Sequence, residues 1–110
     1  MATSKIIPNV QVVHSRFDGS RTLQTNANTY YNLFENLPAG LWIIFMTHYC
    51  PSGEVVICYG NSYDNSIVET GASGQSGAGI INLTNATTIQ MYVTNATTIS
   101  RFKAEAVRLA

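Results

Sequence analysis

Apolar positions along this chain come in short stretches, and the longest lies near its middle. Leu41-Trp42-Ile43-Ile44-Phe45-Met46 runs without a polar break, follows Leu37-Pro38-Ala39-Gly40, and continues into Thr47-His48-Tyr49-Cys50. Pro51-Ser52-Gly53 marks a turn, after which Glu54-Val55-Val56-Ile57-Cys58-Tyr59 forms a second apolar run ending at Gly60. Two β-branched and aromatic runs joined by a Pro/Gly turn predict a β-hairpin. Side chains alternate along a strand, so Leu41, Ile43 and Phe45 share one face while Trp42, Ile44 and Met46 share the other. A small antiparallel domain ordinarily buries one sheet face and wets the other. The second apolar face therefore needs a cover. Left in water, Trp42, Ile44 and Met46 would expose several hundred Å², at ~25 cal/mol per Å². The expectation is that other copies of the chain cover them, with Trp42, Ile44 and Met46 as the seam of a cyclic trimer. The alternative is that a second sheet covers one face and the stretch 60–79 lids the other.

Elsewhere the alternation predicts strands over 10–17, 30–37, 67–70, 80–83, 88–93 and 98–109. Asp18-Gly19-Ser20 is a turn signal, and the threonine-rich stretch 22–28 fits an edge strand or a loop. Residues 60–66 are turn-like, and 71–79 form a glycine/serine loop. Leu83-Thr84-Asn85-Ala86-Thr87-Thr88-Ile89 is echoed by Val93-Thr94-Asn95-Ala96-Thr97-Thr98-Ile99, a spacing that suits strand-plus-turn units. In the last strand Phe102, Ala104 and Ala106 make the inward set. No segment shows a cap followed by a helical period. About eight strands predict an all-β, antiparallel two-sheet sandwich, a jelly roll, over residues 10–110, with 1–9 as an arm or linker.

Composition narrows the function. A length of 110 residues suits one domain. Charged residues are 11% of the chain and the formal net charge is +0, against about 25% charged in an ordinary soluble domain. A surface built from Asn, Thr, Ser and Gly suits an extracellular or virion-exposed β protein. Nucleic acid is a poor partner, because binding phosphates takes clustered Lys and Arg. No apolar run reaches the ~18–20 residues of a helical membrane span, so no membrane insertion is expected. The start lacks the apolar core of a signal peptide. Cys50 and Cys58 flank the predicted turn out of register for a bridge and read as free thiols near the core. Without a C-x-x-C or paired-His spacing, neither metal nor cofactor is expected.

Catalysis is not expected either. Acid–base work takes two titratable groups in one pocket, and the six carboxylates show no informative spacing. His14 and His48 sit in apolar strands and read as core or interface residues. Binding is the better fit. Tyr59, Asn61, Tyr63, Asp64 and Asn65 combine flat aromatic faces with amides and a carboxylate, the chemistry of shallow sugar sites. The same asparagines also serve as turn residues tolerating left-handed backbone. Arg16, Asp18 and Arg21 around the first turn form a second candidate.

Leu37-Pro38-Ala39-Gly40-Leu41-Trp42-Ile43 resembles the central strand of compact jelly rolls, among them the tumour necrosis factor and complement globular-head superfamily. The glycine-rich stretch before Ile80-Ile81-Asn82-Leu83, the Thr-Asn-Ala-Thr-Thr turns and the ending Ala106-Val107-Arg108-Leu109-Ala110 look closer still to the C-terminal tip domains of bacteriophage tail and head fibres. The likeness covers roughly 30–110 and lacks the aromatic-rich signature of the complement heads. It implies a homotrimer at the tip of a virion fibre that binds a host cell-surface glycan or protein through exposed loops. The rivals are a structural trimerisation or capsid-decoration domain with no receptor, and a monomeric carbohydrate-binding module.

Overall fold

A computed structural model describes residues 11–17, 22–71 and 73–110. The expected arm at 1–9 and the Asp18–Ser20 turn lie outside the described residues. Among the described residues nine strands follow one another: β1 Val12–His14, β2 Thr22–Thr25, β3 Thr29–Leu37, β4 Gly40–Cys50, β5 Val55–Tyr59, β6 Ser62–Thr70, β7 Ser73–Leu83, β8 Thr87–Val93 and β9 Thr97–Arg108. All ladders are antiparallel, and no helix occurs among the described residues. One sheet has the order β1-β9-β4-β7, with β2 also on β9; the other has the order β3-β8-β5-β6. β1 and β2 pair with successive stretches of β9, Val12 opposite Val107 and Thr22 opposite Ser100. They act as two halves of one interrupted edge strand. Counting them once leaves eight positions wrapped as a jelly roll, the expected class.

The predicted central hairpin is not one. β4 and β5 lie in opposite sheets, so the Pro51–Gly53 turn carries the chain across the sandwich. Gly53 takes φ +85° there, and a side chain would run into Thr94 and Asn95. The hairpin-length partner of β4 is β7, paired from Gly40↔Leu83 to Cys50↔Ser73 without a shift. The expected glycine/serine loop over 71–79 is therefore mostly strand. Its inward positions must be small because β6 crosses directly above them. A Cβ on Gly77 would stand 2.6 Å from Val68 Cγ1, and one on Gly79 would collide with the Ile67 carbonyl.

The core corrects the expected seam. Trp42, Ile44 and Met46 are 0%, 0% and 1% exposed, packed with Leu33, Phe34, Ile57, Ile89, Met91 and Phe102. They cannot meet another copy, because the chain's own second sheet covers them. The outward face of β4 is Leu41, Ile43 and Phe45. Phe102, Ala104 and Ala106 point inward as expected. A bulge at Arg101, φ +55°, shifts the β4–β9 register from Thr47↔Lys103 to Tyr49↔Ser100. That extra residue reverses parity, so Ile99 is buried and Ser100 faces out with Tyr49. Cys50 and Cys58 are free and buried. They belong to opposite sheets, which separates them more firmly than the register of a hairpin. Burial pushes the Cys58 thiol up to about 11.

Candidate functional site

The outer face of the four-stranded sheet begins with a row of four directly opposed residues. Tyr30 faces Tyr92, Tyr92 faces Val56, and Val56 faces Glu69. These positions point away from the core because their neighbours Met91, Val93, Val55 and Ile57 point into it. Outward residues are ordinarily wet, yet Val56, Cys58 and Tyr92 are buried. The cover comes from β6. Tyr59 pairs with Ser62 and Cys58 with Ser66, so Tyr63, Asp64 and Asn65 face no partner on β5 and leave the ladder. This excursion lays the Tyr63 ring 5.0 Å from that of Tyr92, at 35°. Tyr30 closes the other side of Tyr92 at 4.7 Å.

Hydrogen bonds fix the three rings. The Tyr63 N–H donates to the Tyr30 hydroxyl at 3.0 Å, and the Tyr92 hydroxyl donates to Asn28 Oδ1 at 2.7 Å. Burial, and then the neighbouring Tyr30 and Tyr63, raise the pKa of Tyr92 above the ordinary tyrosine value. The hydroxyl thus stays a neutral donor at physiological pH.

The turn that launches the excursion is Gly60-Asn61, with φ +70° and +53°. Two consecutive positive φ angles suit a two-residue hairpin turn between β5 and β6. Asn61 is held by Gln90, whose Oε1 accepts the Asn61 N–H at 2.9 Å and whose Nε2 donates to Asn61 Oδ1 at 2.6 Å. Gln90 Nε2 also reaches Asn32 Oδ1 at 3.2 Å. Asn65 Nδ2 donates to the Tyr59 carbonyl at 3.1 Å, and the Tyr59 side chain packs on the core.

Beside Tyr63 and Tyr92 lies an open concavity of about 520 Å³ lined by Glu54, Val56, Tyr63, Asp64, Ser66, Glu69, Tyr92 and Thr94. Of the five residues expected to bind, Tyr63 and Asp64 line it. Asn61, Asn65 and Tyr59 build the turn beneath. Sequence reasoning missed Glu54, Val56, Ser66, Glu69, Tyr92 and Thr94, which come from three separate stretches of the chain, around β5, in β6 and at the end of β8. The available signal was parity: Tyr92 and Val56 sit at outward positions of two neighbouring apolar strands. Three of the chain's six carboxylates, Glu54, Asp64 and Glu69, line the concavity, and no Lys, Arg or His among the described residues does. Ser66 Oγ donates to Glu69 Oε2 at 2.9 Å, and Thr94 Oγ1 accepts the Glu54 N–H at 2.8 Å.

The arrangement offers stacking surfaces and hydrogen-bond acceptors. His48 is buried elsewhere, against Thr70 Oγ1, and His14 pairs with Glu105 on the other sheet. Among the described residues no three His, Cys, Asp or Glu side chains are grouped to hold a metal. Of the second candidate, Arg16 lies 4.6 Å above the Phe17 ring; Asp18 and Arg21 fall outside the described residues.

The five-stranded sheet presents a different outer face. Val12, Val107, Ile43 and Ile80 oppose one another in a single row across β1, β9, β4 and β7. Val12 is 48% exposed, Ile80 64%, and Phe45 in the adjoining row 41%. One sheet thus carries a polar aromatic concavity and the other an apolar stripe. No protein-family model matches the chain, and comparison with curated proteins gives no match.

Proposed function

We propose that this chain is a non-catalytic attachment domain, a jelly roll of the virion fibre-tip kind, that holds a host-surface glycan on the outer face of its four-stranded sheet. One observation carries the reading: the packed Tyr92–Tyr63 ring pair, backed by Tyr30, shares one concavity with Glu54, Asp64 and Glu69. Sugar rings present C–H faces that lie against tyrosine and hydroxyl pairs that donate to carboxylates. The volume suits a small saccharide. The charge-poor, Asn/Thr/Ser-rich surface supports an exposed location. A glycan array tests this directly. Wild type should retain a defined set of glycans, and Tyr63→Ala together with Asp64→Asn should lose them while staying folded. Equal binding by wild type and variant defeats the reading.

The apolar stripe favours a second reading, a purely structural domain whose copies assemble through the five-stranded sheet. A homotrimer built this way would use Ile43, Phe45 and Ile80, since Trp42, Ile44 and Met46 are core. A folded wild type that binds no glycan but associates through this face would support that reading.

A further inference from the structure

Among the described residues β7 is the outermost strand of the five-stranded sheet and pairs through β4 on one side. Edge strands present a row of N–H and C=O groups to any chain that approaches, and proteins ordinarily block them with Lys, Pro, a bulge or a short strand. β7 has none of these. Its eleven residues contain no charge and no proline, and its register with β4 is unbroken. β6 covers its inner face at Gly77 and Gly79. Covering a face leaves the sideways groups of the strand open, because alternate residues of an antiparallel edge turn their N–H and C=O away from the neighbour.

We propose that the 76–83 stretch of β7 pairs antiparallel with the same stretch of a second copy about a two-fold axis, joining two five-stranded sheets into one. Three features select a second copy. Each chain carries the same unblocked edge, so one two-fold contact satisfies both at once. The apolar row Val12–Val107–Ile43–Ile80 ends at the edge on Ile80, the most exposed large apolar side chain described, and a partner strand continues it. The edge carries no charge and the chain has a formal net charge of +0, so two copies approach without repulsion.

Light scattering of the full chain, with amide exchange on the same sample, tests this. Wild type should weigh twice the 12.0 kDa chain, with exchange in 76–83 slowing as concentration rises. Ala78→Lys, an exposed edge position, should halve the mass. Phe45→Lys lies one strand in from the edge, on β4 opposite Ala78, where the backbone is already paired on both sides, and should leave the doubled mass intact. Three results overturn the proposal: a wild-type monomer at all concentrations, a mass of three chains, or loss of association in Phe45→Lys but not in Ala78→Lys. A wild-type monomer whose 76–83 amides slow only on adding an extended peptide also overturns it, by assigning the edge to a different partner. The exchange measurement needs no variant, so a misfolded Ala78→Lys does not rescue the idea. Glycan binding is read on the other sheet and stands or falls separately.

Discussion

The ring of Tyr63 rests 5.0 Å from that of Tyr92, and this contact turns an outward sheet position into the wall of a concavity. Tyr63 itself is 54% exposed while Tyr92 is 9% exposed, so one ring faces solvent and shields the other. An aromatic pair contributes about 0.5–1.5 kcal/mol beyond buried area. Tyr63→Ala should therefore lower unfolding stability by about 1 kcal/mol in urea and weaken glycan binding about tenfold or more. Tyr63→Phe keeps the stack and should keep the stability.

Gly79 should tolerate no side chain. The Ile67 carbonyl occupies the space a Cβ would need, and backbone yields less readily than a flexible side chain. Forced overpacking costs about 1–3 kcal/mol, so Gly79→Ala should destabilise by at least that in thermal or urea unfolding. Gly74, in the same strand, has nothing within 4 Å of its would-be Cβ. Gly74→Ala should be neutral or slightly stabilising, since alanine loses less backbone entropy.

Trp42 and Phe45 are neighbours in β4 with opposite fates. Trp42 is fully buried, and its indole N–H donates to the Pro38 carbonyl at 2.8 Å. Trp42→Ala should cost about 3–5 kcal/mol and threaten folding outright. Phe45→Ala should change monomer stability by under about 1 kcal/mol, because exposed positions rarely matter more. Comparable losses at both sites would contradict the assignment of the inward face.

Acid should weaken the fold through His48. Its ring is 3% exposed, Nε2 shares a hydrogen bond with Thr70 Oγ1 at 2.5 Å, and Nδ1 is buried with no partner. Burial lowers its pKa below 6.5. The unfolded chain then binds the extra proton first, and stability rises with pH wherever that holds. The stabilisation is complete above about 6.5, the unfolded value, and is lost as pH falls through the lower folded value. Urea midpoints measured from about pH 7.5 to 5 should fall with pH in wild type and stay flatter in His48→Gln.

Much of this architecture was legible, and what was not has a physical cause. The β-branched and aromatic run of β4 and the alternation in β8 and β9 are local signals, enough for these strands and for the inward trio Phe102, Ala104 and Ala106. The side of β4 that faces the core is decided by β5 and β8, which lie in the other sheet, so Trp42, Ile44 and Met46 were misassigned. Pro51-Ser52-Gly53 suits a hairpin and an inter-sheet crossing equally well. The glycines of β7 looked like a loop because their reason, the nearby Ile67 backbone, is far along the chain. The concavity was half visible: Tyr63 and Asp64 lie in one local stretch, but Glu54, Glu69 and Tyr92 join them only through the ladders of β5, β6 and β8.

The most direct measurement is an NMR titration of the labelled chain with the strongest glycan from the array. The account predicts saturable shifts at Tyr30, Tyr63, Asp64, Glu69 and Tyr92, with the opposite sheet unmoved. Shifts centred on Phe45, Ile80 or Tyr49, or none at saturating glycan, would contradict it.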